Sequence, residues 1–270
     1  MHPQLSVSAV SSWRWSLDED LRCWADLGGD QVGLSFRKLA DAGVAAGARR
    51  VRDAGLRVTN LVELGWWVLD EPATWGPQQA RLLSALDAAA MTGARCLVLT
   101  SGPAGRLAWD DALEALAGAI SPVRSEADAR GITLALEHTG SLRLDLSFVT
   151  TLRDAIDAAR ALGIAVCVEV NSCFAERALE RTLRADIDAL AHVQVSDFVI
   201  GSRCTPDRAV PGDGDIPLGR IVTALVRAGY RGAFELELVG PRIEGEGYPS
   251  AIRRGVEHLE RVLASAEAPQ

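Results

Sequence analysis

The sequence predicts an α/β fold, a single-domain (β/α)8 TIM barrel spanning residues 1–270, on three observations. Short apolar runs alternate with helical stretches along the whole chain, and eight such strand–helix units suit a closed parallel barrel of about 250 residues. Five predicted helices stop at a glycine just before the next strand, at Ala54-Gly55, Thr92-Gly93, Arg130-Gly131, Leu162-Gly163 and Ala228-Gly229, as helix C-termini commonly do. The last four runs place small or polar residues on one face and bulky residues on the other. An open doubly wound sheet is the structural competitor, and that small-polar face favours closure. No linker or low-complexity segment interrupts the pattern.

In chain order, the first strand is expected near 4–10. The helix near 17–27 follows, with Asp18-Glu19-Asp20 in its first turn, where the helix dipole favours acids. A second strand near 30–35 leads to a helix over 38–54, and a third near 56–63 to a helix over 75–92. The fourth strand, 95–101, precedes a helix over 109–130 that opens on Asp110-Asp111. Strands near 132–138, 164–170, 191–196 and 233–238 follow, with helices over 147–162, 175–189, 218–228 and 249–264.

Composition narrows the chemistry. Hydrophobic content of 48% and charged content of 24% describe an ordinary globular protein. No apolar run reaches the roughly 20 residues of a membrane span, and Met1-His2-Pro3-Gln4 lacks the build of a signal peptide. The expectation is a cytoplasmic protein without a membrane partner. A net charge of −8 argues against a nucleic-acid partner. Five scattered cysteines without zinc-type spacing read as free thiols. The only lysine is Lys38, beside Arg37 at the start of a helix, which makes it a poor Schiff-base nucleophile. Carbonyl chemistry would then use a metal as electrophile.

The later strands supply candidate ligands. Ile132-Thr133-Leu134-Ala135-Leu136 ends on Glu137, and Ile164-Ala165-Val166-Cys167-Val168 ends on Glu169. Gln194 lies in Ala191-His192-Val193-Gln194-Val195, and Glu237 in Ala233-Phe234-Glu235-Leu236-Glu237-Leu238. Strand side chains alternate faces, so each ligand shares the small-polar inward face. Barrel active sites lie at the C-terminal strand ends. Four oxygen donors at one depth and parity suit a hard divalent cation, Mn²⁺ or Mg²⁺.

These motifs resemble the xylose isomerase-like TIM barrels, the sugar phosphate isomerase/epimerase superfamily. Leu134-Ala135-Leu136-Glu137 and Val166-Cys167-Val168-Glu169 resemble the family's fifth- and sixth-strand ligand segments. The segment 191–197 is similar to its seventh-strand motif, Val210-Pro211-Gly212-Asp213-Gly214 to the loop that follows, and 229–237 to the last strand. The resemblance implies metal binding at Glu137, Glu169, Gln194 and Glu237, with Glu137 and Glu237 either also moving the proton or serving as ligands only. Three departures stand out. Glu169 replaces the usual aspartate, Gln194 a frequent histidine, and Ser172 the histidine three residues beyond the sixth-strand acid. Gln194 resembles the bacterial 3-dehydroshikimate dehydratases of the superfamily.

Further candidates follow from position. His138 adjoins Glu137 and is a candidate base, although strand alternation turns it from the lumen. His192 and Glu235 share inward parity one layer below the ligands, either orienting them or simply filling the barrel. Arg208, just before the Pro-Gly-Asp-Gly turn, is the preferred substrate-binding cation over Arg203. Trp13 and Trp15 follow the first strand, and Trp66 and Trp67 the third. Trp13 and Trp66 are expected to bind a small sugar-like or carbonyl substrate; the alternative is packing between loops or subunits, and a homo-oligomer is compatible with the sequence. The expected activity is metal-dependent isomerisation or epimerisation of an unphosphorylated polyhydroxylated carbonyl compound. The competitors are a β-eliminating lyase and a non-catalytic barrel subunit.

Overall fold

The computed structural model describes residues 1–268. Eight parallel strands close into a barrel in sequence order. They are β1 Leu5–Ser8, β2 Gln31–Ser35, β3 Arg57–Val62, β4 Cys96–Thr100, β5 Thr133–Glu137, β6 Ala165–Glu169, β7 Leu190–Val195 and β8 Phe234–Leu236. The helices are α1 Leu17–Leu27, α2 Phe36–Asp41, α3 Val44–Asp53, α4 Trp75–Thr92, α5 Trp109–Arg130, α6 Leu152–Leu162, α7 Val170–Cys173, α8 Leu179–Ala185, α9 Leu218–Ala228, α10 Pro241–Glu246 and α11 Tyr248–Glu267. None of the described helices is long and apolar enough to cross a membrane.

Helix ends follow their sequence signals. Ser16 and Glu19 form a reciprocal capping box at α1, closing backbone donors that the first turn leaves open. Gly93, Gly131, Gly163 and Gly229 take left-handed φ values at helix C-termini, a conformation that costs glycine little.

The differences from the expected elements have local causes. β1 stops at Ser8, whose hydroxyl accepts the Val10 amide and turns the chain into a short 3-10 segment, Ala9–Ser12. The helix expected over 38–54 is broken into α2 and α3 around Gly43, which has φ +76. α6 begins at Leu152 rather than 147 because Phe148 donates its amide to the Gly102 carbonyl and Ser147 bonds Ser101, tying this stretch to the end of β4. The helix expected over 175–189 becomes α8 with a 3-10 turn, Ile187–Ala189, and α7 precedes it. α10 has no counterpart among the expected elements.

Strand parity divides the interior. Leu134, Leu136, Val166, Val168, Val193, Phe234 and Leu236 join the large core between sheet and helices. Val62, Val98, Cys96, Ala135 and Cys167 form a small separate cluster inside the barrel. Beside it lies a buried polar group in which His192 Nε2 is 2.8 Å from Glu235 Oε2, and Asn60 Nδ2 donates to the same oxygen at 3.1 Å. Gly33 makes room for that group: a Cβ there would fall 1.7 Å from Glu235 Oε1.

Candidate active site

β5 to β8 bring the four predicted ligands to one end of the barrel. Register pairs Glu169 with Gln194 across β6 and β7, and Gln194 with Glu235 across β7 and β8. Glu137, Glu169, Gln194 and Glu237 are all buried. Gln194 Nε2 donates to Glu237 Oε2 at 2.6 Å, and Cys167 Sγ donates to Gln194 Oε1 at 3.4 Å. Glu169 also caps α7, its Oε1 accepting the Asn171 amide at 2.9 Å.

Arg208 completes the cluster. Its Nη1 is 2.6 Å from Glu169 Oε2 and its Nη2 is 3.2 Å from Glu237 Oε1, while Nη1 also donates to the Glu237 carbonyl at 3.2 Å. Its backbone is clamped between strand ends: the Arg208 amide donates to the Val239 carbonyl, and Asp197 and Ala209 exchange two backbone hydrogen bonds. Asp197 holds the rest of the loop, with Oδ1 accepting the amides of Phe198 and Ile216 and Oδ2 that of Gly212. Removing the carboxylate leaves three backbone donors unpaired, at about 1–3 kcal/mol for each buried one. Asp197→Ala is therefore expected to loosen 198–216, and limited trypsin digestion should cut at Arg203 and Arg208 well before the rest of the protein.

Charge sets the protonation. Burial, and then the neighbouring Glu169 carboxylate, push Glu137 up to about 8. Burial also raises Glu237 well above the usual carboxylate range, and Arg208 opposes the shift. One guanidinium faces three buried carboxylates, so the group is short of positive charge. Three carboxylates and a carboxamide suit a hard divalent cation in donor chemistry and in charge. As the side chains stand, no three His, Cys, Asp or Glu groups among the described residues are spaced as metal ligands. The Arg208 guanidinium instead bridges Glu169 and Glu237.

Glu137, Glu237 and Arg208 line a cavity of about 800 Å³ together with Trp13 and Trp66. Trp15 and Trp67 do not: Trp15 packs edge-on against Tyr248 with ring centroids 5.3 Å apart, and Trp67 is in the core. Arg203 is exposed and outside the cavity lining. His138 is fully buried and does not line the cavity. Its Nε2 accepts the Glu169 amide at 3.3 Å, and burial lowers its pKa to about 4, leaving it neutral. That placement makes His138 a support for β6 and takes it away from the reacting space. His192 and Glu235 pair as expected, but Glu235 otherwise accepts only from Asn60, and neither has a hydrogen bond to the four ligands.

Glu63, just past β3, and Arg81 of α4 line the same cavity and are not among the residues expected from the sequence. Glu63 also ends an apolar run, Leu61-Val62-Glu63, which was the available signal. Asn60 and Val62 face the lumen, so strict alternation points Glu63 outward. Its carboxylate accordingly meets Arg81 of α4, and the pair reaches the cavity at the rim rather than through the lumen.

No curated protein matches the sequence significantly. Among solved structures, the chain is similar to a protein from Sinorhizobium meliloti 1021 at 24% identity, covering 96% of this chain and 98% of that one with a TM-score of 0.88. It is also similar to the IolI protein with a bound zinc atom, at 16% identity over 98% and 100% of the two chains and a TM-score of 0.83. D-Psicose 3-epimerase with D-tagatose, from Clostridium cellulolyticum H10, matches at 16% identity over 96% and 99% with a TM-score of 0.77. Likeness at these identities shows the fold. The sequence profile of one family matches residues 21–262, nearly the whole barrel with its strand-end carboxylates, and the chain belongs to that family, the xylose isomerase-like TIM barrels.

Proposed function

We propose that the protein is a divalent-metal-dependent isomerase or epimerase acting on a polyhydroxylated carbonyl compound. The convergence of Glu137, Glu237 and Arg208 on one cavity wall, backed by Glu169 and Gln194, carries this reading. The zinc seen with the IolI protein and the D-tagatose seen with the epimerase support a metal site and a sugar-like substrate in this fold. Glu137, Glu169, Gln194 and Glu237 would hold the ion, Mn²⁺ or Mg²⁺, which when bound polarises the substrate carbonyl. Glu237 removes the proton from the neighbouring carbon. Arg208 and Gln194, both bonded to the Glu237 carboxylate, favour the anion that a base requires. Glu137, the other carboxyl group on the cavity wall, returns a proton to the carbon skeleton.

Incubating metal-loaded protein with a panel of keto-sugars in D₂O tests the reaction: deuterium should enter the substrate at carbon beside the carbonyl. No exchange with any of the panel would overturn the reading. A β-eliminating lyase begins with the same proton removal, and Gln194 on Glu237 in place of a histidine favours that second reading. Product mass separates the two, since an isomer keeps it and a lyase loses a fragment. Elemental analysis tests the ion itself. Protein purified without chelator is expected to carry a single divalent ion per chain, and Glu169→Ala to lose most of it. Equal metal content in the two samples would remove the assigned site.

A further inference from the structure

Arg208 reaches the carboxylates from the long connection between β7 and α9, residues 196–217. A side chain carried on a loop keeps its geometry only where the backbone beneath it is fixed. Two clamps already described act at Arg208 and after it. Its amide donates to the Val239 carbonyl, and Asp197 pairs with Ala209 and accepts the amides of 198, 212 and 216. Neither clamp touches residues 202–207, the stretch that leads into Arg208.

Asp207 holds that stretch from α10. Arg208 and Asp207 are consecutive, and their side chains part: Arg208 goes to Glu169 and Glu237, Asp207 to Ser202 and Arg242. Asp207 Oδ2 accepts from the Ser202 hydroxyl and, at 3.1 Å, from Arg242 Nε. Neither Asp207 nor Arg242 lines the cavity. Gly240, just before α10, lets the helix start press on the same stretch. A Cβ there would fall 2.7 Å from the Pro206 carbonyl oxygen and 2.9 Å from Asp207 Cα, and its φ of +131 suits glycine. Stability alone does not explain the pair. Asp207 is buried, and its Oδ1 has no hydrogen-bond partner among the described residues, an unfavourable arrangement. The Arg242 side chain is 49% exposed, so its ion pair adds little stability in return. What the pair does is fix the backbone one residue before Arg208.

We propose that Arg242 is a positioning residue: through Asp207 it sets the backbone from which Arg208 spans the Glu169 and Glu237 carboxylates. Its effect on rate, though not the placement itself, rests on the isomerase reading. The two Nη atoms must meet carboxylates from the ends of two strands, at 2.6 and 3.2 Å, and a misplacement of about 1 Å can cost about 10²-fold in rate.

Arginine side-chain NMR reads the placement without a substrate. Guanidinium protons held in buried ion pairs exchange slowly with water, and those of Arg208 are assigned by their absence from Arg208→Lys. In Arg242→Met they should exchange about tenfold faster or more, as loss of one charge-assisted hydrogen bond allows, and Arg242→Lys should restore part of the protection. Arg242 is half-exposed, so its variants keep the fold. Deuterium exchange, with a keto-sugar that the parent turns over, should fall about 10- to 10²-fold in Arg242→Met. The double variant Arg208→Met/Arg242→Met should be no slower than Arg208→Met, because both changes act through one guanidinium. The proposal is overturned if Arg208 is equally protected in Arg242→Met, if the parent shows no protected Arg208 protons, or if the two losses in rate multiply. If the parent exchanges no deuterium with any sugar, the isomerase reading falls, and the guanidinium protons alone decide the role of Arg242.

Discussion

Glu237→Gln is expected to lose about 10²–10⁴-fold in deuterium exchange, the range that general base catalysis typically contributes, while keeping its metal. The substitution preserves volume and leaves an oxygen donor, so neither packing nor the ligand count changes. It removes the one property the mechanism asks of this side chain, its capacity to accept a proton. The surroundings make the test clean. Gln194 Nε2 and Arg208 Nη2 both bond the carboxylate, at 2.6 and 3.2 Å, and a carboxamide can rotate to keep one of those bonds. Metal content should therefore match the parent protein, and the melting curve should shift by no more than the loss of one buried hydrogen bond. Wild-type exchange with metal still bound would move the base elsewhere. Glu137 would then lead, because it is the other carboxylate on the cavity wall, while His138 lies outside it.

Much of this site was legible in the chain because a barrel strand is a simple code. Period-two alternation fixes which residues enter the lumen, and the inner cluster of Ala135 and Cys167 against the outer layer of Leu134, Leu136, Val166 and Val168 follows that code closely. Glu137, Glu169, Gln194 and Glu237 were readable for the same reason. Glu63, one residue past β3, turns toward α4 and pairs with Arg81 there, so it meets the cavity at the rim, where lumen parity does not mark it. Trp13 and Trp15 sit two apart on a turn rather than a strand, and only one of them reaches the cavity. The role of Arg208 in bridging two ligand carboxylates was also beyond reach. Its position depends on Asp197 gathering backbone amides from residues 212 and 216, a long-range closure with no periodic signature.

Lys38→Met is expected to destabilise the protein by about 3–5 kcal/mol, the usual consequence of removing one partner of a buried ion pair. Lys38, the only lysine, does not line the large cavity and has no free role as a nucleophile. Its ammonium donates to Asp20 Oδ2 at 2.6 Å, to the Ser12 carbonyl at 2.9 Å and to the Ser12 hydroxyl at 3.2 Å. Ser12 in turn donates to the other Asp20 oxygen. The side chains of Lys38 and Asp20 are 1% and 0% exposed. One cluster thus joins the turn after β1, α1 and α2, and so fixes the backbone that carries Trp13 and Arg37 to the cavity rim. Burial nevertheless outweighs the partner for both groups: Asp20 is pushed up to about 6, and Lys38 is lowered from its ordinary value. The cost of desolvating the two charges is therefore incompletely offset by their attraction, which separates two outcomes. Taking away one charge strands the other in a dry site, whereas the double variant Lys38→Met/Asp20→Leu removes both and should recover most of the lost stability. Urea unfolding midpoints of the parent, both single variants and the double variant measure the difference. A double variant as unstable as the sum of the two singles would show that Lys38 and Asp20 act independently, and would sink this account of how the β1 and β2 ends are held together.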